Sequence, residues 1–134
     1  MSVPWNQSEG TRPLVVSYAS SPPAEVLYAD PPIDESPVGV IDASCYRQVE
    51  GAGILAGTEH EQAAEELVDF LLSTTVQADV PLSMFVFPVV TTTPLPVEFV
   101  QFATRPSKPL TLTPSQLAQG RDDWIAKWTN VMLG

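Results

Sequence analysis

One hundred and thirty-four residues and 14.5 kDa fit one domain, and 44% hydrophobic against 16% charged residues at a mean hydropathy of +0.07 describe a chain able to bury a core; two complete domains and a disordered tail are both excluded. The net charge of −10 is uneven, with 13 acids and 2 bases over residues 1–80 but 3 and 4 over 81–134. That distribution disfavours nucleic acid and anionic membranes as partners and tolerates a cationic ligand.

Neither a membrane-spanning stretch nor a leader is expected, because no apolar run approaches ~18 residues and the opening MSVPWNQSEG lacks a basic start. Residues 1–12 are expected to be loosely ordered and the whole of 1–134 to form one unit. The apolar run Leu14 to Ala19, bounded by Pro13 and by Ser20-Ser21-Pro22-Pro23, predicts a strand over 13–19. Five prolines and four acids over 20–37 predict a surface excursion, with a brief helical or extended patch at Glu25–Tyr28. Val38–Ile41 and Tyr46–Leu55, interspersed with glycines, predict one or two further strands. A helix follows, with Thr58 as cap, Glu61 completing a capping box, and an apolar stripe of Ala63, Ala64, Leu67, Val68, Leu71 and Leu72. Thr74 with Gln77 opens a second, short helix that Pro81 ends or closely follows. Met84–Val90, broken by Pro88, predicts an edge strand or an extended loop. After a proline-rich connection over 94–114, Thr113, Pro114 and Gln116 start a helix. Its Leu117, Trp124, Ile125, Trp128 and Val131 recur at helical spacing and predict docking on the core. Strands interleaved with helices make the fold class α/β.

The chemistry-bearing residues are few. Gly51-Ala52-Gly53 follows a strand-like stretch as in a dinucleotide fingerprint, but that fingerprint needs a helix starting among the glycines, whereas the cap here stands at Thr58. A small dinucleotide-binding enzyme domain is therefore an alternative that a helix start near residue 52 would favour. A protein-interaction module using the proline-rich loops is another. His60, the one histidine, reads as a solvated residue on an acid-rich helix. Cys45, the one cysteine, can form no internal disulfide and has no second histidine to activate it. Glu65-Glu66 and Asp122-Asp123 are adjacent in helices and point apart, so they form no shared-proton dyad. Neither a cofactor nor a metal is expected. What remains is a set of rings and hydroxyls near loops: Tyr18, Ser20, Ser21, Tyr46, Phe85 and Phe87. A tyrosine at a strand end followed by Ser-Ser-Pro-Pro has the make-up of a binding rim, a rigid ring beside a turn rich in hydrogen-bonding groups.

Several segments, in order, carry a family likeness. PLVVSYASSP (13–22) is similar to L-V-L-S-Y-x-x-S-P, and CYRQVE (45–50) to H-Y-x-Q-V-E. AEELVDFLLS (64–73) is similar to a helix ending F-L-x-F-M-V-S. Val80-Pro81 with Phe87-Pro88-Val89 fits I-P-x-x-x-W-x-Y-P-V, and Trp124–Trp128 fits W-I-x-x-W. Together they resemble the thiamine-binding, substrate-binding proteins of bacterial ABC importers. The resemblance implies part of a type II periplasmic-binding-protein fold, its C-terminal portion, with a mixed sheet flanked by helices. It implies non-catalytic, extracytoplasmic binding of thiamine or a thiamine phosphate, and a membrane permease as partner. Tyr18 matches a binding tyrosine, and Phe85 stands where the family stacks a tryptophan on the ligand. Ser20, Ser21 and Tyr46 complete the expected ligand contacts. A second binding tyrosine would fall at Ala24, and Trp5 lies too close to Tyr18 to replace the family's upstream tryptophan. Members are more than twice this long, so the N-terminal lobe and the carboxylate it gives to the ligand's charge are expected to be missing. Open edges left by that lobe would favour a homodimer.

Overall fold

In the computed structural model, which describes residues 14–133, the regular elements are helices. They are α1 (Pro22–Leu27), α2 (Glu61–Leu71), α3 (Thr74–Met84), α4 (Val97–Phe102) and α5 (Pro114–Leu133), with a single 3-10 turn at Asp42–Ser44. The expectation for residues 1–12, and Trp5 with it, lies outside the described residues.

Among the described residues there is no strand, so the expected mixed sheet is not seen there. Residues 14–18 are irregular and Val16 is fully exposed, so the predicted buried strand is neither paired nor buried. The stretches 38–41 and 46–55 are likewise irregular apart from one isolated parallel bridge between Tyr46 and Leu110. There the Arg47 amide donates to the Leu110 carbonyl at 2.9 Å and the Leu110 amide donates to the Cys45 carbonyl at 2.8 Å. The physical reason is that strand preference is a preference for a partner and a half-buried face, so a good strand sequence without a neighbouring strand gains nothing from extending.

Helices need only their own turns, and all the expected ones form, with shifted ends. α2 starts after His60 instead of after Thr58, and the Thr58 hydroxyl accepts from the His60 amide at 3.2 Å in a local turn. α3 is capped by Ser73, whose hydroxyl accepts from the Val76 amide at 3.4 Å, and Pro81 lies inside it rather than ending it. Because Pro81 has no N–H, the Gln77 carbonyl one turn earlier loses its helical partner. α3 ends at Phe85, a non-glycine residue in the left-handed region at φ 55, ψ 40, whose amide donates to the Pro81 carbonyl at 3.1 Å. The proline-rich stretches hold two helices of their own. In α1 the prolines occupy the first positions, where a missing N–H is harmless, and α4 begins directly after Pro96.

α1 packs on α4 and α2 on α3. Phe99 of α4, 1% exposed, is the hydrophobic side chain buried outright, and Pro23 and Pro81 are its largest fully buried companions. The core is therefore small for the composition. α5 departs furthest from expectation. The Thr113 and Gln116 capping box forms as predicted, the Gln116 Oε1 accepting from the Thr113 amide at 2.9 Å and the Thr113 hydroxyl accepting from the Gln116 amide at 3.2 Å. Yet no residue of α5 is buried, and Trp128 is 62% exposed. The helix forms from local signals, but its stripe, an open groove along Leu117, Trp124, Ile125 and Trp128, has no surface to dock on among the described residues.

Candidate functional site

The residues singled out by sequence gather at the α1–α4 pair, with one exception. Tyr18, Ser20 and Ser21 share a turn that leads directly into α1. The Ser21 amide donates to the Tyr18 carbonyl at 3.0 Å, the Ala24 amide donates to the Ser21 carbonyl at 2.9 Å, and the Ser17 hydroxyl donates to the Ser21 hydroxyl at 3.1 Å. Across the packing, the Thr104 amide donates to the Ala19 carbonyl at 2.8 Å and fixes the turn to the segment that leaves α4. Ser20 is buried in this arrangement and Tyr18 is 56% exposed, its ring free to meet a solute.

At the other end of α1 stands Phe85. Its ring meets Tyr28 edge-on, with centroids 5.9 Å apart, and lies roughly parallel to the buried Phe99 at 6.4 Å. Phe87 meets Phe99 edge-on at 5.5 Å and carries the Arg105 guanidinium 4.4 Å above its own ring. These are favourable ring geometries, each contributing on the order of 0.5–1.5 kcal/mol beyond burial. Six helical residues at ~1.5 Å rise put about 9 Å of helix between the Tyr18–Ser21 turn and Tyr28. Tyr18 and Phe85 thus flank one element instead of touching, and Phe85's ring neighbours are Tyr28 and Phe99.

The loop that carries Phe85 and Phe87 is pinned by Gln77, which is 6% exposed. Its Nε2 donates to the Leu71 carbonyl at 2.8 Å, and its Oε1 accepts from the Val89 and Val90 amides at 2.9 and 3.2 Å. The expected role of Gln77 as the second half of a capping box is replaced by this three-way brace, because the cap is Ser73, one position earlier than expected.

Tyr46 is the exception. It sits in the bridge with Leu110, half-exposed, and among the described residues no ring contact joins it to the other candidates. Cys45 beside it is a free thiol that donates to the Ile41 carbonyl at 3.7 Å, a structural position. His60 is exposed at the start of α2, and no group of acids, histidine and cysteine suited to a metal occurs among the described residues. Gly51 and Gly53 have open space around them and precede a helix that starts at Glu61, so the close packing and the early helix that a dinucleotide fingerprint requires are both lacking.

Two residues of this site escaped the sequence reading. Tyr28 lies four positions, one helical turn, after Ala24, so a ring returns to the face where the position expected for tyrosine holds alanine; the i, i+4 spacing was the available signal. Glu25 looked like one more acid of a solvated excursion. Its Oε2 is instead out of solvent without a hydrogen-bond partner among the described residues, and burial pushes its carboxyl above the ordinary value of 4.5.

No helix among the described residues is long and apolar enough to cross a membrane. No family model matches the chain, and no solved structure does. Two curated proteins do: a thiamine-binding periplasmic protein of Escherichia coli K12, 30% identical over 120 residues, and one of Salmonella typhimurium LT2, 29% identical over 120. Each alignment takes in 90% of this chain and 36% of the relative. The likeness read from the residue segments is thus borne out: the chain is similar to thiamine-binding periplasmic proteins along nine-tenths of its length and spans about a third of theirs.

Proposed function

We propose that the chain carries part of the binding site of a solute-binding protein for thiamine or a thiamine phosphate, serving an importer outside the cytoplasm and working by binding without turnover. The observation that carries this reading is the 120-residue likeness to two thiamine-binding periplasmic proteins. The site's chemistry agrees with it. Thiamine joins a flat pyrimidine to a permanently charged thiazolium; rings such as Tyr18, Phe85 and Tyr28 each contribute ~0.5–2 kcal/mol to such a cation. In this reading Ser21 offers its hydroxyl to the polar edge, and Ser20, buried here, and Tyr46, held apart in its bridge with Leu110, enter the set once the rest of the binding site closes on the ligand. A chain of net charge −10 also raises the local concentration of a cation.

In this reading the segments 14–18 and 46–55 become strands of a type II periplasmic-binding-protein sheet when the rest of a two-lobe molecule lies beside them, and closure of the lobes presents a surface to a membrane permease. The exposed apolar residues at Leu14–Val16 and along α5 favour pairing with a second copy of the chain, against the repulsion of its charge. Light scattering across concentration and salt checks the pairing. A strict monomer throughout removes the homodimer. The binding reading is tested by calorimetric titration of thiamine and its phosphates into this chain and into a fusion of it behind the N-terminal lobe of the E. coli relative. Saturable heat with the fusion and recovery of unaltered thiamine support it. Absence of heat from both proteins overturns it.

A further inference from the structure

The stripe of α5 takes no part in the site described above, and no residue of the helix is buried. Leu117, Trp124, Ile125, Trp128, Val131 and Met132 fall within about a third of the helix circumference at ~100° per residue. Their exposure runs from 39% at Leu117 to 82% at Val131. With large side chains of ~150–250 Å², the stripe offers on the order of 600 Å² of apolar surface, the upper end for a lone chain and the lower end for a specific interface. Charge also cancels along this helix. The net charge of −10 opposes contact between copies, yet the charged residues of α5 are Asp122 and Asp123 against Arg121 and Lys127. Copies that meet along α5 therefore bring neutral faces together. Arg121 is placed unlike the other three. It stands four positions after Leu117 and three before Trp124, on the midline of the stripe, and lines the groove with the two indoles. Its 3.1 Å ion pair with the adjacent Asp122 lies at the surface, where such a pair is weak, so the guanidinium is free to turn toward a partner.

We propose that this stripe is the contact by which two copies of the chain pair, with their α5 helices antiparallel. This deepens the pairing part of the reading above, assigning it to one helix, and does not rest on the identity of the ligand. Arg121 sets the orientation. In a parallel pair the two guanidinium groups meet at the same height within an apolar contact, where like charges repel and lose water. Turned end for end about the middle of the stripe, between Trp124 and Ile125, the helices instead set each Arg121 against Trp128 of the second copy, and each Leu117 against Met132. A guanidinium on an indole face is a favourable contact, and the chain already makes its counterpart where Arg105 lies 4.4 Å over the Phe87 ring. Antiparallel helices also bring opposite ends of their dipoles together. An interface of this size is weak, so the dilute chain is a monomer with α5 unpacked. A lipid surface is the rival cover for such a face, but α5 has no excess of basic residues and the chain as a whole is acidic.

Sedimentation equilibrium of the full chain from ~1 μM to ~1 mM reads the pairing. The parent should pass from monomer to dimer and no further, because a two-fold contact closes on itself. Trp128→Ala should raise the dissociation constant about thirtyfold or more and Arg121→Gln about fivefold or more, whereas Val16→Ser should leave it within about twofold. Orientation is read by oxidative cross-linking in a Cys45→Ser background. Ala118→Cys and Val131→Cys proteins, mixed, should link to each other, and neither should link to itself. A parent that stays monomeric at every concentration overturns the proposal, and binding of that monomer to phosphatidylcholine vesicles through Trp128 gives the face to lipid instead. A dimer that survives Trp128→Ala but not Val16→Ser overturns it too, since the copies then pair through Leu14–Val16. Self-linking of each cysteine variant in place of the mixed product makes the pair parallel and removes the role of Arg121. None of these readouts involves thiamine, so pairing without thiamine binding separates the two readings.

Discussion

Replacing Gln77 tests how the Phe85 wall is held. Its side chain is nearly buried and makes three hydrogen bonds to main-chain groups, one given to Leu71 and two taken from Val89 and Val90. Gln77→Leu keeps the volume and removes all three, leaving two amides and a carbonyl to find water. A buried partner left unpaired costs about 1–3 kcal/mol. Val89 is 59% exposed, so part of that loss is recovered by hydration, and a total of about 2–4 kcal/mol is expected. Gln77→Glu separates the two sides of the brace: its carboxylate still accepts from Val89 and Val90 but sets an anionic oxygen against the Leu71 carbonyl, so it should lose at least as much at neutral pH, about 2–4 kcal/mol, and less in acid, where the protonated group can donate. Urea unfolding followed by circular dichroism reads both, and the ring resonances of Phe85 and Tyr28 report whether the wall has moved. If both variants unfold within ~0.5 kcal/mol of the parent, the range of unremarkable surface changes, Gln77 does not hold the loop and the reasoning fails.

Trp128→Ala should change unfolding free energy by less than about 0.5 kcal/mol, whereas a docked tryptophan would cost ~3–5 kcal/mol, so the same urea series measures whether α5 is packed. Gly120→Ala places a methyl group where the Trp124 indole lies, but that ring is exposed and can swing away. The helix should gain ~1 kcal/mol of propensity and show higher ellipticity, together with a displaced Trp124 indole N–H resonance; a fall in helicity would contradict this. Glu25 fixes a pH dependence. Its carboxyl is raised by burial, so the folded protein binds the proton more firmly than the unfolded chain. The stability this gives is complete in acid, below the ordinary 4.5, and is lost as pH rises through the folded value. α4, packed against α1, adds one ionisable residue, Glu98, which disfavours the charged form further if it approaches. Glu25→Gln should therefore be more stable than the parent at neutral pH and similar to it in acid; an unchanged difference across that range would contradict the assignment.

The parts legible in the sequence are those that depend on neighbours within a turn. The Thr113–Gln116 box specified the start of α5 because both its hydrogen bonds span three residues, and the apolar periodicity after Thr58 specified α2 to within three residues of its start. α4 was hidden because prolines dominate the 94–114 composition, although Pro96 precedes its first turn and so does not obstruct it. The failures concern partners. Val16 and Trp128 were both read as buried from sound local patterns, a strand-like run and a helical stripe, and both are exposed for one reason: burial belongs to two surfaces, and a sequence displays only one of them. The site obeys the same division. Tyr18, Ser20 and Ser21 were identifiable because one turn contains them, while Tyr28, Glu25 and Gln77 acquire meaning only when α1 lies on α4 and α3 carries Phe85 to the end of α1. A ring at position 28 in place of one at position 24 shifts the aromatic wall by a helical turn toward Phe85. Its edge-on contact with Phe85 at 5.9 Å joins the end of α1 to the end of α3, a meeting that the spacing within neither segment displays.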